Sequence, residues 1–403
     1  MSSLSLAGDI RRLPVPHLVA RPDQLDALLR ELTQRFADGA ERHDRGASFP
    51  FENFAELQRY GLVAAVVPAA HGGGGASLAS ARRIVSAVAR GEPSTALVLT
   101  MTYLTHRGIS RADSRWSPHL RDALFESAVT EGALANSLRV EPALGSPARG
   151  GLPDTVARRV GDGWQLSGHK LYTTGIPALR WLAVWARTDD EPEPRVGVFL
   201  VPREAHGIRV IESWDHLGLR ASGSHEVVFD QVELPLDHAV DVRPAVEWGA
   251  APDADQYAWM IALLGALYDG VARAAHAWLL RFLSERTPGS LGAALSSVPR
   301  VQQVVGEIEA LLWANDALLT GLVQAADAGT PPSATESGLV KYTLTGNAIR
   351  VVDLALQLCG NHGLSRRNPL ERHHRDVLCS RIHTPQNDSI LIGAGRLAFE
   401  RAA

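Results

Sequence analysis

Lysine and cysteine are the residues this 403-residue chain has least of. Cysteine occurs only as Cys359 and Cys379. Two cysteines rule out a disulfide framework and point to a reducing, cytoplasmic setting. Lysine occurs only as Lys170 and Lys341, while Ala, Arg and Gly are plentiful, which reads as the imprint of GC-rich coding. Neither sign of charge dominates: the net charge is −4 and the pI near 6.4. Nucleic acid and acidic membrane surfaces are therefore not expected partners. Met1 to Pro16 has apolar patches broken by Asp9, Arg11 and Arg12, so it reads as neither a signal peptide nor a membrane span. No H-E-x-x-H or C-x-x-C pair occurs, so no metal is expected. A G-x-S-x-G nucleophile elbow is missing too. Four glycines, Gly72 to Gly75, lack the Lys-Ser or Lys-Thr of a phosphate loop and read as a turn between helices.

Of the sequence that is present, 45% is hydrophobic, enough for two or three domains. The first third has helical spacing. Leu25, Leu28, Leu29, Leu32 and Phe36 form one stripe. Further helices are expected over 54–62, 78–90, 94–106 and 118–131, the last with Ser117 as its cap. From Glu131 to Val240 the text turns strand-like. A hairpin runs from Thr155 to Ser167 through Gly161-Asp162-Gly163, and short β-rich runs cover 181–186, 196–201 and 225–229. Helical periodicity returns after Pro252. Leu263, Leu264, Leu267, Val271, Trp278 and Phe282 share a face, and Ser333-Ala334-Thr335-Glu336 has the form of a capping box. The expected architecture is α+β and multidomain: an N-terminal helical domain (1–130), a central β-barrel domain (131–244) and a C-terminal four-helix bundle (245–403).

The motifs come in a fixed order. Tyr60-Gly61-Leu62 leads to Val67-Pro68 and Gly72-Gly73. Glu141-Pro142-Ala143-Leu144-Gly145-Ser146 follows, then Gly168-His169-Lys170-Leu171-Tyr172-Thr173-Thr174-Gly175. Leu217 to Ser224 comes next, then Gln357 to Gly363, Pro369 to Arg372 and Arg375-Asp376. In this order they resemble the acyl-CoA dehydrogenase superfamily. The resemblance implies bound FAD or FMN, a homotetramer, and a small-molecule or acyl-thioester substrate. It places Leu138, Val140, Gly145, Ser146, Tyr172 and Thr174 at the flavin ring, with the Thr174 hydroxyl near N5. It places Arg286, Gln357, Gly360 and Asn361 at a neighbouring subunit's pyrophosphate and adenosine. On the residues alone, the second motif offers backbone N–H groups at a small-residue turn, as a flavin's pyrimidine edge needs; threonines in a strand are equally its ordinary formers.

Ile382-His383-Thr384-Pro385-Gln386-Asn387-Asp388-Ser389 aligns without a gap on the family's Ile-Tyr-Glu-Gly run, and Thr384 takes the place of the glutamate base. A threonine cannot remove an α proton. The second position where relatives keep the base falls at Met260 and Ile261, both apolar. Asp253, Asp255 and Asp388 are conceivable substitutes. His383, beside the vacancy, and His106, at the end of a helix expected to line the substrate side, are the catalytic candidates with Thr174. A neutral imidazole suits the oxygen chemistry of relatives that use reduced flavin from a reductase partner. Three readings stand: a reduced-flavin monooxygenase, an acyl-CoA or acyl-carrier-protein dehydrogenase with a relocated base, and a non-catalytic member. Tyr172, Pro288 and Pro147, which replace the family's usual residues, motivate the last.

Overall fold

The computed structural model describes residues 21–145, 151–190, 192–249 and 253–402. Among the described residues five α-helices come first: α1 (Pro22–Gly46), α2 (Phe51–Arg59), α3 (Leu78–Gly91), α4 (Pro93–Ile109) and α5 (Pro118–Thr130). The stripe from Leu25 to Phe36 is buried along α1, as its spacing requires. Gly61, at φ 66°, closes the turn after α2. In the glycine run, a Cβ on Gly73 would meet the Val67 carbonyl oxygen at 2.3 Å, so the turn folds onto its own backbone.

Two helix starts differ from expectation. Ser117 precedes α5, but its hydroxyl is buried without a partner among the described residues and does not cap the helix. The start of α4 is set by Glu92, whose buried carboxylate accepts from the Ser94 and Thr95 N–H groups at 3.1 and 2.6 Å. An acid serves there because the first-turn N–H groups carry partial positive charge. The same helix runs on to Ile109, so His106 lies inside its last turns.

Eight strands follow among the described residues: β1 (Leu134–Leu138), β2 (Val156–Val160), β3 (Gly163–Thr173), β4 (Leu179–Thr188), β5 (Arg195–Pro202), β6 (Ile208–Ile211), β7 (His225–Pro235) and β8 (Ala239–Pro244). They form one mixed sheet ordered β6-β7-β3-β2-β4-β5-β8, with β1 also on β4. The expected hairpin is β2–β3, with Val160 facing Gly163. Strands β1 and β2 run parallel to β4, and the other pairs are antiparallel.

The C-terminal helices are α6 (Ala254–Glu285), α7 (Pro299–Asp327), α8 (Ala334–Cys359), the short α9 (Asn361–Leu364), α10 (Leu370–Leu378) and α11 (Asn387–Ala402). The capping box forms at Ser333 and Glu336. Helix α6 is long and apolar enough to cross a membrane by composition, yet 83% of that stretch is buried inside the protein. It packs on α3, α4, α7 and α8, so one hydrophobic cluster joins all three parts of the chain.

The three parts also share a polar junction. Arg375 on α10 grips both Asp44 oxygens at 2.8 and 2.6 Å and donates to the Leu217 carbonyl at 2.9 Å. Gly218 lies so close to α10 that a Cβ would meet the Arg375 carbonyl oxygen at 2.3 Å. The next N–H, of Leu219, donates to Asp376 Oδ1 at 2.7 Å. Burial pushes the Asp376 carboxyl up to about 7 against the pull of that N–H. In the unfolded chain it titrates near about 4. Between these values the folded state binds more protons, so this group's contribution to stability is lost as pH rises through the window. Asp376→Asn retains an oxygen acceptor and removes the titration. Its urea-unfolding free energy should fall less from about pH 4 to about pH 7 than the parent's; equal slopes would mean that Asp376 is ionised throughout.

Candidate active site

The site begins at a buried ion pair. Glu141 follows β1, Lys170 lies on β3, and both side chains are 0% exposed. Lys170 Nζ donates to Glu141 Oε1 at 2.6 Å and to the Trp185 carbonyl at 2.5 Å. Glu141 also accepts from the Asp154 N–H at 2.6 Å, the Thr155 N–H at 3.1 Å and the Thr155 hydroxyl at 2.6 Å. Burial alone would raise the Glu141 pKa, but Lys170 and Thr155 reverse this and hold it below its usual range. Burial brings Lys170 down to about 8, with Glu141 opposing. The pair presses the turn Glu141–Gly145 onto β3, where the Leu171 N–H reaches the Val140 carbonyl at 2.9 Å. Of the residues expected at a flavin ring, Leu138 is core and Val140 is half-buried. Gly145 sits at φ 70° in the turn. Ser146 lies outside the described residues.

The end of β3 carries the other ring candidates. Tyr172 adopts φ 54° and is 54% exposed. A left-handed tyrosine is costly and marks a position held by its surroundings. The Thr174 N–H returns to the Tyr172 carbonyl at 2.9 Å, and Asn136 holds the Thr174 carbonyl at 3.0 Å. The Thr174 hydroxyl bonds Ser224 at 2.9 Å, and Ser224 bonds the buried Ser222 at 2.8 Å. Trp214 stacks on His216 at 3.6 Å, and Tyr172 meets both edge-on. A solvent-facing aromatic ring beside a hydroxyl with a fixed partner fits a flavin, which needs a flat apolar contact and a donor near N5.

On the bundle side, His383 Nδ1 lies 2.5 Å from the Tyr268 hydroxyl of α6. Lys341 of α8 is fully buried and donates to the His383 and Pro385 carbonyls at 2.8 and 2.7 Å. Burial, aided by Lys341, lowers the His383 pKa to about 4, so its imidazole is neutral at pH 7. His106 is fully buried against Phe125, has no partner on either ring nitrogen among the described residues and is pushed down to about 3 by burial. No hydrogen bond or ring contact joins it to His383 among the described residues.

No carboxylate stands at either base position. Thr384 is exposed, Met260 half-buried and Ile261 buried. The conceivable substitutes are otherwise engaged. Asp253 caps α6 and pairs with Arg111 at 2.6 Å, which holds its pKa down and makes it a weaker base. Asp255 pairs with Arg107 at 2.6 Å. Asp388 is exposed and bonds its neighbour's N–H. Arg286, Gln357, Gly360 and Asn361 are all exposed. Contact of Phe282 with His362 at 5.2 Å brings the end of α6 to the turn after α8, so the four lie on one end of the bundle.

Three family models match in order: the acyl-CoA dehydrogenase N-terminal domain over 23–118, the middle domain over 139–232 and the C-terminal domain over 260–385. The chain belongs to the acyl-CoA dehydrogenase family. Among curated relatives, YdbM of Bacillus subtilis (strain 168), itself only provisionally called an acyl-CoA dehydrogenase, is 33% identical, covering 92% of this chain and 95% of its own. The L-evernosamine nitrososynthase of a Micromonospora species is 30% identical over 92% of this chain and 88% of its own. KijD3, solved with FMN and a dTDP-linked amino sugar, superposes with a TM-score of 0.81 at 28% identity, over 96% of this chain and 95% of its own. Butyryl-CoA dehydrogenase from Megasphaera elsdenii shares the fold at 20% identity, with a TM-score of 0.81 and 99% of both chains covered.

Sequence reasoning missed Tyr268, Lys341, Ser222, Ser224 and Asn136. The signal for Lys341 was present. Both lysines of the chain are buried and tie down site segments, where each compact ammonium donates to carbonyl or carboxylate oxygens. Lys170→Met would strand the Glu141 carboxylate among neutral donors. It should lower stability by about 3–5 kcal/mol in urea titration. A loss within about 0.5 kcal/mol, the range of ordinary surface substitutions, would refute the role given to the pair.

Proposed function

We propose that the chain is a flavin-dependent monooxygenase that uses reduced FMN or FAD, delivered by a separate reductase, and O2 to oxidise a small nitrogen-bearing molecule. The carrying observation is the absence of a carboxylate at both base positions, with a neutral histidine, His383, in the loop that lost it. Removal of an α proton needs a base there, whereas oxygen transfer needs a hydrogen-bond donor and a dry site. The nitrogen-bearing substrate class is taken from the nitrososynthase relatives and from the amino sugar bound to KijD3.

The bound flavin would supply the electrons that reduce O2. Tyr172 would cover the ring, the Thr174 hydroxyl would hydrogen-bond near N5, and Ser224 would fix the direction of that hydroxyl. His383 would donate a hydrogen bond at the reacting side. Arg286, Gln357, Gly360 and Asn361 would complete a neighbour's dinucleotide site in a homotetramer. A cytoplasmic location would give access to a reductase partner.

With a flavin reductase, NADH, 18O2 and an amino-sugar nucleotide, product should carry the label. His383→Ala should lower labelled product on the order of 10²-fold, the usual cost of losing one such donor. Anaerobic bleaching of the bound oxidised flavin by an acyl thioester, with no labelled product under any condition, would instead make the chain a dehydrogenase.

A further inference from the structure

The Tyr268 hydroxyl is buried with the rest of its side chain, and His383 is its only hydrogen-bond partner among the described residues. The contact can be written in two directions. If imidazole Nδ1–H donated to the phenol oxygen, the phenolic proton would remain buried with no acceptor. If the phenol donates to Nδ1, every polar atom of the contact is satisfied. A phenol is also a far stronger acid than a neutral imidazole N–H, which favours O–H···N. The second direction fixes the remaining proton on Nε2, which has no partner among the described residues.

We propose that Tyr268 is a positioning residue that locks His383 in the Nε2–H tautomer, so that the loop presents a hydrogen-bond donor and not a base. Lys341 completes the lock. Its ammonium holds the backbone on both sides of Thr384, fixing the height of the ring, and its charge disfavours a second proton on the imidazole. Tyr268 arises from α6 and Lys341 from α8, so the loop is pinned by two core helices. The lock explains how a histidine can stand beside the vacated base position without replacing the base: its only lone pair points at Tyr268. In the oxygenation reading, on which this inference rests, the free N–H is the donor required by the reacting oxygen.

The tautomer can be read without turnover. The full chain as purified, labelled with 15N in its histidine rings, is compared at neutral pH with His383→Gln to identify the His383 signals. The expected result is an unprotonated, pyridine-type Nδ1 and a protonated, pyrrole-type Nε2. In Tyr268→Phe these signals should shift toward the average of the two tautomers. A pyrrole-type Nδ1 in the parent would overturn the lock, as would an unchanged pattern in Tyr268→Phe. Should that variant fail to fold, the parent spectrum alone still decides the tautomer. A locked Nε2–H tautomer in a chain that yields no labelled product would sink the oxygenase reading and leave the lock standing; the reverse tautomer with labelled product would do the opposite.

Discussion

A carboxylate and an ammonium, both sealed from water, hold the β half of this site together. Charges are buried at high cost unless each is paired and its remaining hydrogen bonds are satisfied. Glu141 and Lys170 meet that condition with four further hydrogen bonds, to Asp154, Thr155 and Trp185. The turn carrying Val140 and Gly145 can therefore sit at one height above β3, and the end of β3 sets Tyr172 and Thr174. An apolar pair could glue the same strands without specifying which oxygen meets which hydrogen. The ion pair fixes register as well as proximity.

The bundle half obeys the same logic through a different donor set. The loop that lacks the family's glutamate is held by Lys341 on its carbonyls and Tyr268 on its histidine. Between the halves, the stretch from Leu217 to Ser224 docks on α10 through Gly218 and Leu219 and then supplies the serines behind Thr174. The two sides of the site thus share a rigid strap, anchored by Asp44 and Arg375 to the first helix.

The fold was largely legible because its signals are local. The α1 stripe, the Gly161 turn and the capping box at Ser333 each depend on residues a few positions apart. Motif order drew Glu141, Lys170, Tyr172 and Thr174 out of the sequence, and the structure sets them on β3 and the turns beside it. What escaped were contacts between distant segments. Tyr268 and His383 are neighbours only because α6 and the last loop meet in space, and nothing in the periodicity of α6 separates a functional tyrosine from a core one. For His106, helical spacing gives its face but not which neighbour that face meets, and Phe125 is one such neighbour. Ser117 misled because a favourable residue before a helix still needs its hydroxyl turned toward an N–H group.

The two lysines have a practical corollary. With both ammonium groups at 0% exposure, the folded surface carries its positive side-chain charge on arginine and histidine alone. Acylating reagents, acetyltransferases and ubiquitin ligases seek a free amine, and neither lysine side chain of the folded chain offers them one. Amine labelling would then act as a gauge of breathing. Each adduct at Lys170 would record an opening of the strand junction, and each at Lys341 an opening of the histidine loop.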